Sequence, residues 1–101
     1  MAREVLPEEA EALRREGATL VDVRRAEELA EQRIPGAVHV PLDELGARAG
    51  ELPDGPLVLV CRSGDRSAMA ADALAAAGHE AASLAGGLTA WAGKGLPTQE
   101  G

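Results

Sequence analysis

The chain reads as an α/β protein: a three-layer, doubly wound, mainly parallel five-stranded sheet with helices on both faces. Three observations predict it. Short apolar runs alternate with helical stretches from end to end, which implies parallel strands joined by crossover helices. One run, Leu57-Val58-Leu59-Val60, is apolar without alternation and half β-branched, as expected of a strand buried on both faces. A length of 101 residues supports one core.

In chain order, residues 4–6 read as a short edge strand. Pro7 suits a first helical position, with Glu8, Glu9 and Glu11 near the positive end of that helix and Arg14 and Arg15 near its negative end. Gly17 stops it, and residues 18–22 form the next strand, leaving Asp22 and Arg24 at its carboxyl end. Residues 26–32 read as a short helix, Pro35-Gly36 as a turn and residues 37–40 as a strand. Another short helix covers residues 42–49, and residues 50–56, with two prolines and Gly55, form the loop into the central strand. Residues 67–77 make a helix of small residues, which Gly78 ends as a left-handed cap. Residues 81–84 are the last strand. Gly86-Gly87 either lets two backbones approach closely or simply permits a turn into a final helix, the second being the safer reading. Trp91 anchors that helix. A single domain thus spans residues 1–101, with its core at about 5–97 and a loose tail at 98–101.

Composition narrows the function. The chain has no Phe or Tyr and one Trp, so Leu, Val and Ala must fill the interior. A net charge of −7 argues against nucleic acid or an acidic membrane as partner. No apolar run is long enough to span a bilayer and no signal peptide opens the chain, so a soluble, cytoplasmic protein is expected. One cysteine excludes an internal disulfide and a cysteine-built metal site. His39 and His79 lack paired spacing, so no metal is expected; they read as a packed or partly exposed strand residue and a turn residue.

That cysteine, Cys61, ends the central strand. Arg62, Ser63, Gly64, Asp65, Arg66 and Ser67 follow, forming a tight polar loop that runs into a helix N-terminus. In open α/β sheets ligands bind at such strand ends. A free thiol has a pKa of about 8.5, so roughly 3% is thiolate at pH 7. Inward-pointing loop N–H groups and the charges of Arg62 and Arg66 favour the anion. A fall of one to two units would bring the thiolate fraction to about a quarter to three quarters. A cysteine present only for packing would need neither the glycine nor the two arginines. Cys61 is therefore the candidate nucleophile. Asp22 either supports the loop from behind or ties neighbouring loops as an acceptor, with Arg24 pairing to Glu28 one helical turn on. The second reading is favoured, since such a pair, worth about 0.3–0.5 kcal/mol, organises a turn.

The run Cys61-Arg62-Ser63-Gly64-Asp65-Arg66-Ser67 resembles the active-site loop of the rhodanese family, the thiosulfate and persulfide sulfurtransferases. Three further stretches resemble the same family. Val21-Asp22-Val23-Arg24 is similar to its Asp-x-Arg strand end. Arg33-Ile34-Pro35-Gly36-Ala37-Val38-His39-Val40-Pro41-Leu42 is similar to its His-Ile-Pro-Gly-Ala segment, with Arg33 where histidine is usual. Leu84-Ala85-Gly86-Gly87, Trp91 and Gly95-Leu96-Pro97 are similar to its carboxyl-terminal signature. Arg33 is either a third positive group on the rim or a solvated side chain.

The resemblance implies five main parallel strands around the Cys61 loop and a two-step transfer of sulfur. Cys61 takes sulfane sulfur from thiosulfate or a persulfide donor and passes it to cyanide or a thiol acceptor. Arg62 and Arg66 hold the anionic donor, the loop N–H groups from Arg62 to Ser67 hold the persulfide, and no cofactor is needed beyond that covalent intermediate. The alternative from a different class is a persulfide carrier that delivers sulfur to a relay partner protein. A phosphatase or arsenate reductase ranks lower: those loops are Cys-x5-Arg, whereas the fifth residue after Cys61 is already Arg66, and the smaller cradle suits one sulfur.

Overall fold

The computed structural model describes residues 2–101. The elements, in order, are β1 (Arg3–Val5), α1 (Pro7–Arg15), β2 (Thr19–Asp22), α2 (Ala26–Glu31), β3 (Val38–His39), α3 (Leu45–Arg48), β4 (Leu57–Val60), α4 (Asp65–Ala76), β5 (Ala81–Leu84) and α5 (Gly87–Gly93). Two helices differ from expectation. α4 starts at Asp65 instead of residue 67, because Gly64, with φ of 109°, turns the chain directly into the helix. The helix expected over residues 42–49 is broken into 3-10 turns at Leu42–Glu44 and Ala49–Glu51 on either side of α3. Gly46 and Gly50 weaken it, and no side chain caps it.

The five strands form one parallel sheet in the order β1-β5-β4-β2-β3. β4 is central and buried along its whole length, as its apolar sequence requires. Its side chains alternate between two cores. Leu57, Leu59 and Cys61 pack with Leu45 of α3 and with Ala70, Ala71 and Leu74 of α4. Val58 and Val60 pack with Ala10 of α1 and with Leu88 and Trp91 of α5. Alanines at the α4 contact let the helix lie close to the sheet, which brings its N-terminus beside the end of β4.

Trp91 is buried and donates its Nε1–H to Pro97 O at 2.8 Å, which fixes the chain beyond α5. Residues 98–101 are not the loose tail that was expected. Arg33 and Gln99 exchange two backbone hydrogen bonds of 2.8 Å, and Gly101 N–H donates to Ala30 O at 3.1 Å. The tail pairs backbone groups of α2 and the linker after it that the sheet leaves free. Among the described residues no helix is long and apolar enough to cross a membrane.

Candidate active site

Cys61 lies one residue beyond β4 and is only 1% exposed. Its Sγ accepts the N–H of Gly64 at 3.0 Å and that of Ser67 at 3.3 Å, and the Ser67 hydroxyl oxygen lies 3.4 Å away. The Ser67 N–H belongs to the first turn of α4, where helix geometry leaves amides without internal partners. Those amides carry the positive end of the helix dipole, so the sulfur occupies a site preorganised for negative charge.

Two glycines make this possible. A Cβ on Gly64 would meet Gly86 N at 3.3 Å, besides the strain of its positive φ. Gly87, at φ 58°, approaches so closely that a Cβ would lie 2.4 Å from Cys61 O and 2.5 Å from Arg62 O. The contact lets Leu88 N–H donate to Cys61 O at 2.8 Å and Thr89 N–H to Arg62 O at 3.1 Å. For Gly87 the close-approach reading therefore replaces the simpler turn. The first turn of α5 holds the loop from behind.

The charged residues pair differently from expectation. Arg24 and Asp22, each 1% exposed, form a fork: Arg24 Nε donates to Asp22 Oδ1 at 3.0 Å and Nη2 to Oδ2 at 2.8 Å. Arg24 Nη2 also donates to Gln32 O at 2.8 Å, while Glu28 Oε2 stands 4.0 Å from Arg24 Nε. The expected Arg24–Glu28 pair is thus subordinate. A fully buried guanidinium needs a fully buried carboxylate, and Asp22 supplies it from the adjoining strand end.

Glu28 faces the loop instead. Arg66 donates to its two carboxylate oxygens at 2.9 and 3.0 Å. These hydrogen bonds hold the Glu28 carboxyl below the usual carboxylate range, helped by the charges of Arg66, Arg24 and Arg62 and opposed by burial. The same bonds raise the Arg66 pKa. Arg62 is 60% exposed at the rim, 3.6 Å from Glu31. Arg33 is neither a rim group nor a freely solvated side chain. Its guanidinium lies against the Gln99 side-chain amide, with Nε at 3.1 Å and Nη2 at 3.2 Å from it, a contact that pairs donors with an acceptor once the amide oxygen is turned toward Arg33. The cavity Arg33 lines includes no loop residue.

Cavities flank the loop. One of about 350 Å³ is lined by Arg24, Glu28, Glu31, Gln32, Arg62 and Thr89, and one of about 390 Å³ by Val23, Arg25, Pro41, Leu42, Asp43 and Arg66. Sequence reasoning missed one residue here. Ser83, on β5, places its Oγ 2.8 Å from Ser67 Oγ. The available signal was a single hydroxyl in the otherwise apolar run of residues 81–84.

The profile of the rhodanese-like domain matches residues 6–94. A sulfurtransferase of Allochromatium vinosum is 40% identical over 84 residues, 81% of this chain and 78% of that protein. The thiosulfate sulfurtransferase GlpE of Pseudomonas savastanoi pv. phaseolicola is 37% identical over 91 residues, 88% of this chain and 86% of that one. Among solved structures, a rhodanese-related protein from Thermoplasma volcanium superposes with a TM-score of 0.91 at 26% identity, covering 98% of this chain and 99% of that one.

Proposed function

The chain belongs to the rhodanese-like family, whose relatives include sulfurtransferases, and from that premise we propose that it transfers sulfane sulfur through a persulfide on Cys61. In the first step the Cys61 thiolate attacks the outer sulfur of thiosulfate or of a persulfide donor. A bond forms from Sγ to that sulfur, and the donor S–S bond breaks with its electron pair leaving on sulfite or the donor thiolate. In the second step cyanide or a thiolate attacks the terminal sulfur, and Cys61 leaves as thiolate. The cycle closes without a cofactor.

The observation that carries this reading is the sulfur's surroundings. Two backbone N–H groups converge on Sγ at 3.0 and 3.3 Å, and fixed donors of this kind favour an anionic sulfur at no cost of rearrangement. Arg62, exposed and loosely countered by Glu31, is the cation best placed to meet an incoming donor anion; Arg66 is held by Glu28. A free nucleophilic thiol suits a reducing compartment such as the cytoplasm.

The test is intact-protein mass after incubation with thiosulfate, repeated after cyanide and with Cys61→Ser. The expected result is a gain of one sulfur that cyanide removes and the variant never shows. Initial rates should give parallel lines, and intersecting lines would replace the two-step cycle with a ternary complex. A second reading, delivery of sulfur to or from a partner protein, is favoured by the carboxylates that counter both loop arginines. It predicts slow loading by thiosulfate and fast loading by a protein persulfide.

A further inference from the structure

The two-residue repeat of β5 puts Ser83 on the sheet face that carries Leu59, its register partner, and Cys61. Ser83 is 1% exposed, and Ser67 is fully buried. Ser67 Oγ lies 2.8 Å from Ser83 Oγ, 3.4 Å from Cys61 Sγ and 3.1 Å from Gly64 O. Each hydroxyl has one proton and two lone pairs to distribute.

With Cys61 as a thiol, S–H donates to Ser67 Oγ, Ser67 donates to Gly64 O, and Ser83 donates to Ser67. With Cys61 as a thiolate that first donor is gone. Ser67 turns its proton to the sulfur, and among the described residues Ser83 is then the only donor left to a hydroxyl oxygen that water does not reach. Losing the Ser83 hydroxyl thus harms the thiolate state more than the thiol state, since an unsatisfied buried acceptor is costly. We infer that Ser83 is a positioning residue, holding the Ser67 hydroxyl in the orientation from which it stabilises the Cys61 thiolate. The inference rests on the reading of Cys61 as the sulfur-carrying nucleophile.

The charged groups on the elements packed around the loop are Arg66 with Glu28, Arg24 with Asp22, Arg62 with Glu31, and Asp65 at the start of α4. β5 contributes no ionisable side chain, and α5 faces the loop with the N–H groups of Leu88 and Thr89. None of these is hydrogen-bonded to Ser83, so its replacement leaves them in place.

The experiment is the pH dependence of Cys61 alkylation by iodoacetamide, which needs no sulfur donor and is unambiguous in a chain with one cysteine. Ser83→Ala should raise the midpoint by roughly half to one pH unit, the effect of one ordinary hydrogen bond. Ser83→Thr should restore it. Ser67→Ala should raise the midpoint alone, and adding Ser83→Ala to it should produce no further shift. An unmoved midpoint in folded Ser83→Ala, or a shift of the same size on the Ser67→Ala background, would overturn the inference. If Ser83→Ala does not fold, Ser83→Thr against Ser83→Val compares hydroxyl with methyl at constant shape, and equal midpoints would overturn it. A wild-type protein that alkylates normally yet never gains sulfur would instead overturn the proposed function and leave the Ser83 result readable.

Discussion

Replacing Glu28 by Gln should tighten the binding of thiosulfate. Glu28 holds Arg66 through two hydrogen bonds of 2.9 and 3.0 Å. A donor anion on the far side of that guanidinium sits about 7 Å from the Glu28 charge, the sum of two hydrogen bonds and the width of the group. At that distance, with an effective dielectric constant of about 40, a dianion and a carboxylate repel by about 2.4 kcal/mol. Salt at about 0.15 M, with a screening length near 8 Å, reduces this to about 1 kcal/mol. The KM for thiosulfate, measured with cyanide as acceptor, should then fall about fivefold in Glu28→Gln. The gain should shrink as ionic strength rises. Stability should drop by no more than about 1 kcal/mol, since the pair is partly exposed and Gln keeps one acceptor. An unchanged or raised KM at low salt, in a folded variant, would refute the reasoning and show that holding Arg66 in place matters more than its free charge.

The same pair gives a pH dependence. The folded Glu28 carboxyl is depressed by its hydrogen bonds with Arg66, so its contribution is present above the ordinary carboxylate range and lost as pH falls through the lower folded value. Glu28→Gln should remove that part of the acid limb, and an unchanged limb in urea titrations across that range would count against it. Gly87→Ala should cost about 2–4 kcal/mol and abolish sulfur loading, because its Cβ would meet two loop carbonyls at 2.4 and 2.5 Å; full loading in a stable variant would contradict the packing described. Asp22→Ala leaves the Arg24 guanidinium buried without its carboxylate and should destabilise by about 3–5 kcal/mol in chemical denaturation. A loss below about 1 kcal/mol would mean that Glu28 or water takes over.

The parts of the molecule written in consecutive residues were legible. Leu57 to Val60 declare a central strand because nothing polar interrupts them, and the amides of Gly64 and Ser67 that meet the Cys61 sulfur could be read from the loop because both stand within six residues of it. What could not be read are pairings that only the fold creates. Glu28 and Arg66 are 38 residues apart, and Arg24 is flanked by two carboxylates of which only burial selects Asp22. Gly87 looks like any turn glycine until α5 is seen against the Cys61 carbonyl. Arg33 and Gln99 meet because the chain after Trp91 folds back, an event with no periodic or compositional mark. Ser83 left a trace, one hydroxyl among apolar neighbours, whose meaning required the sheet register.

α2 has six residues and no side-chain cap, too few to persist as a helix by itself. It stays in place through the Arg24 bond to Gln32 O, the tail bond to Ala30 O and the Glu28 fork on Arg66. The bonds that shape the cysteine loop are made within the loop and from α4 and α5 and involve none of these. Hydrogen exchange should therefore find the amides of α2 opening well before those of the sheet. Such an opening parts Glu28 from Arg66 and loosens the cavity that Glu28 and Glu31 line beside the loop while the Cys61 sulfur keeps its N–H donors, so breathing at the rim and rigidity at the sulfur are assigned to separate pieces of the chain.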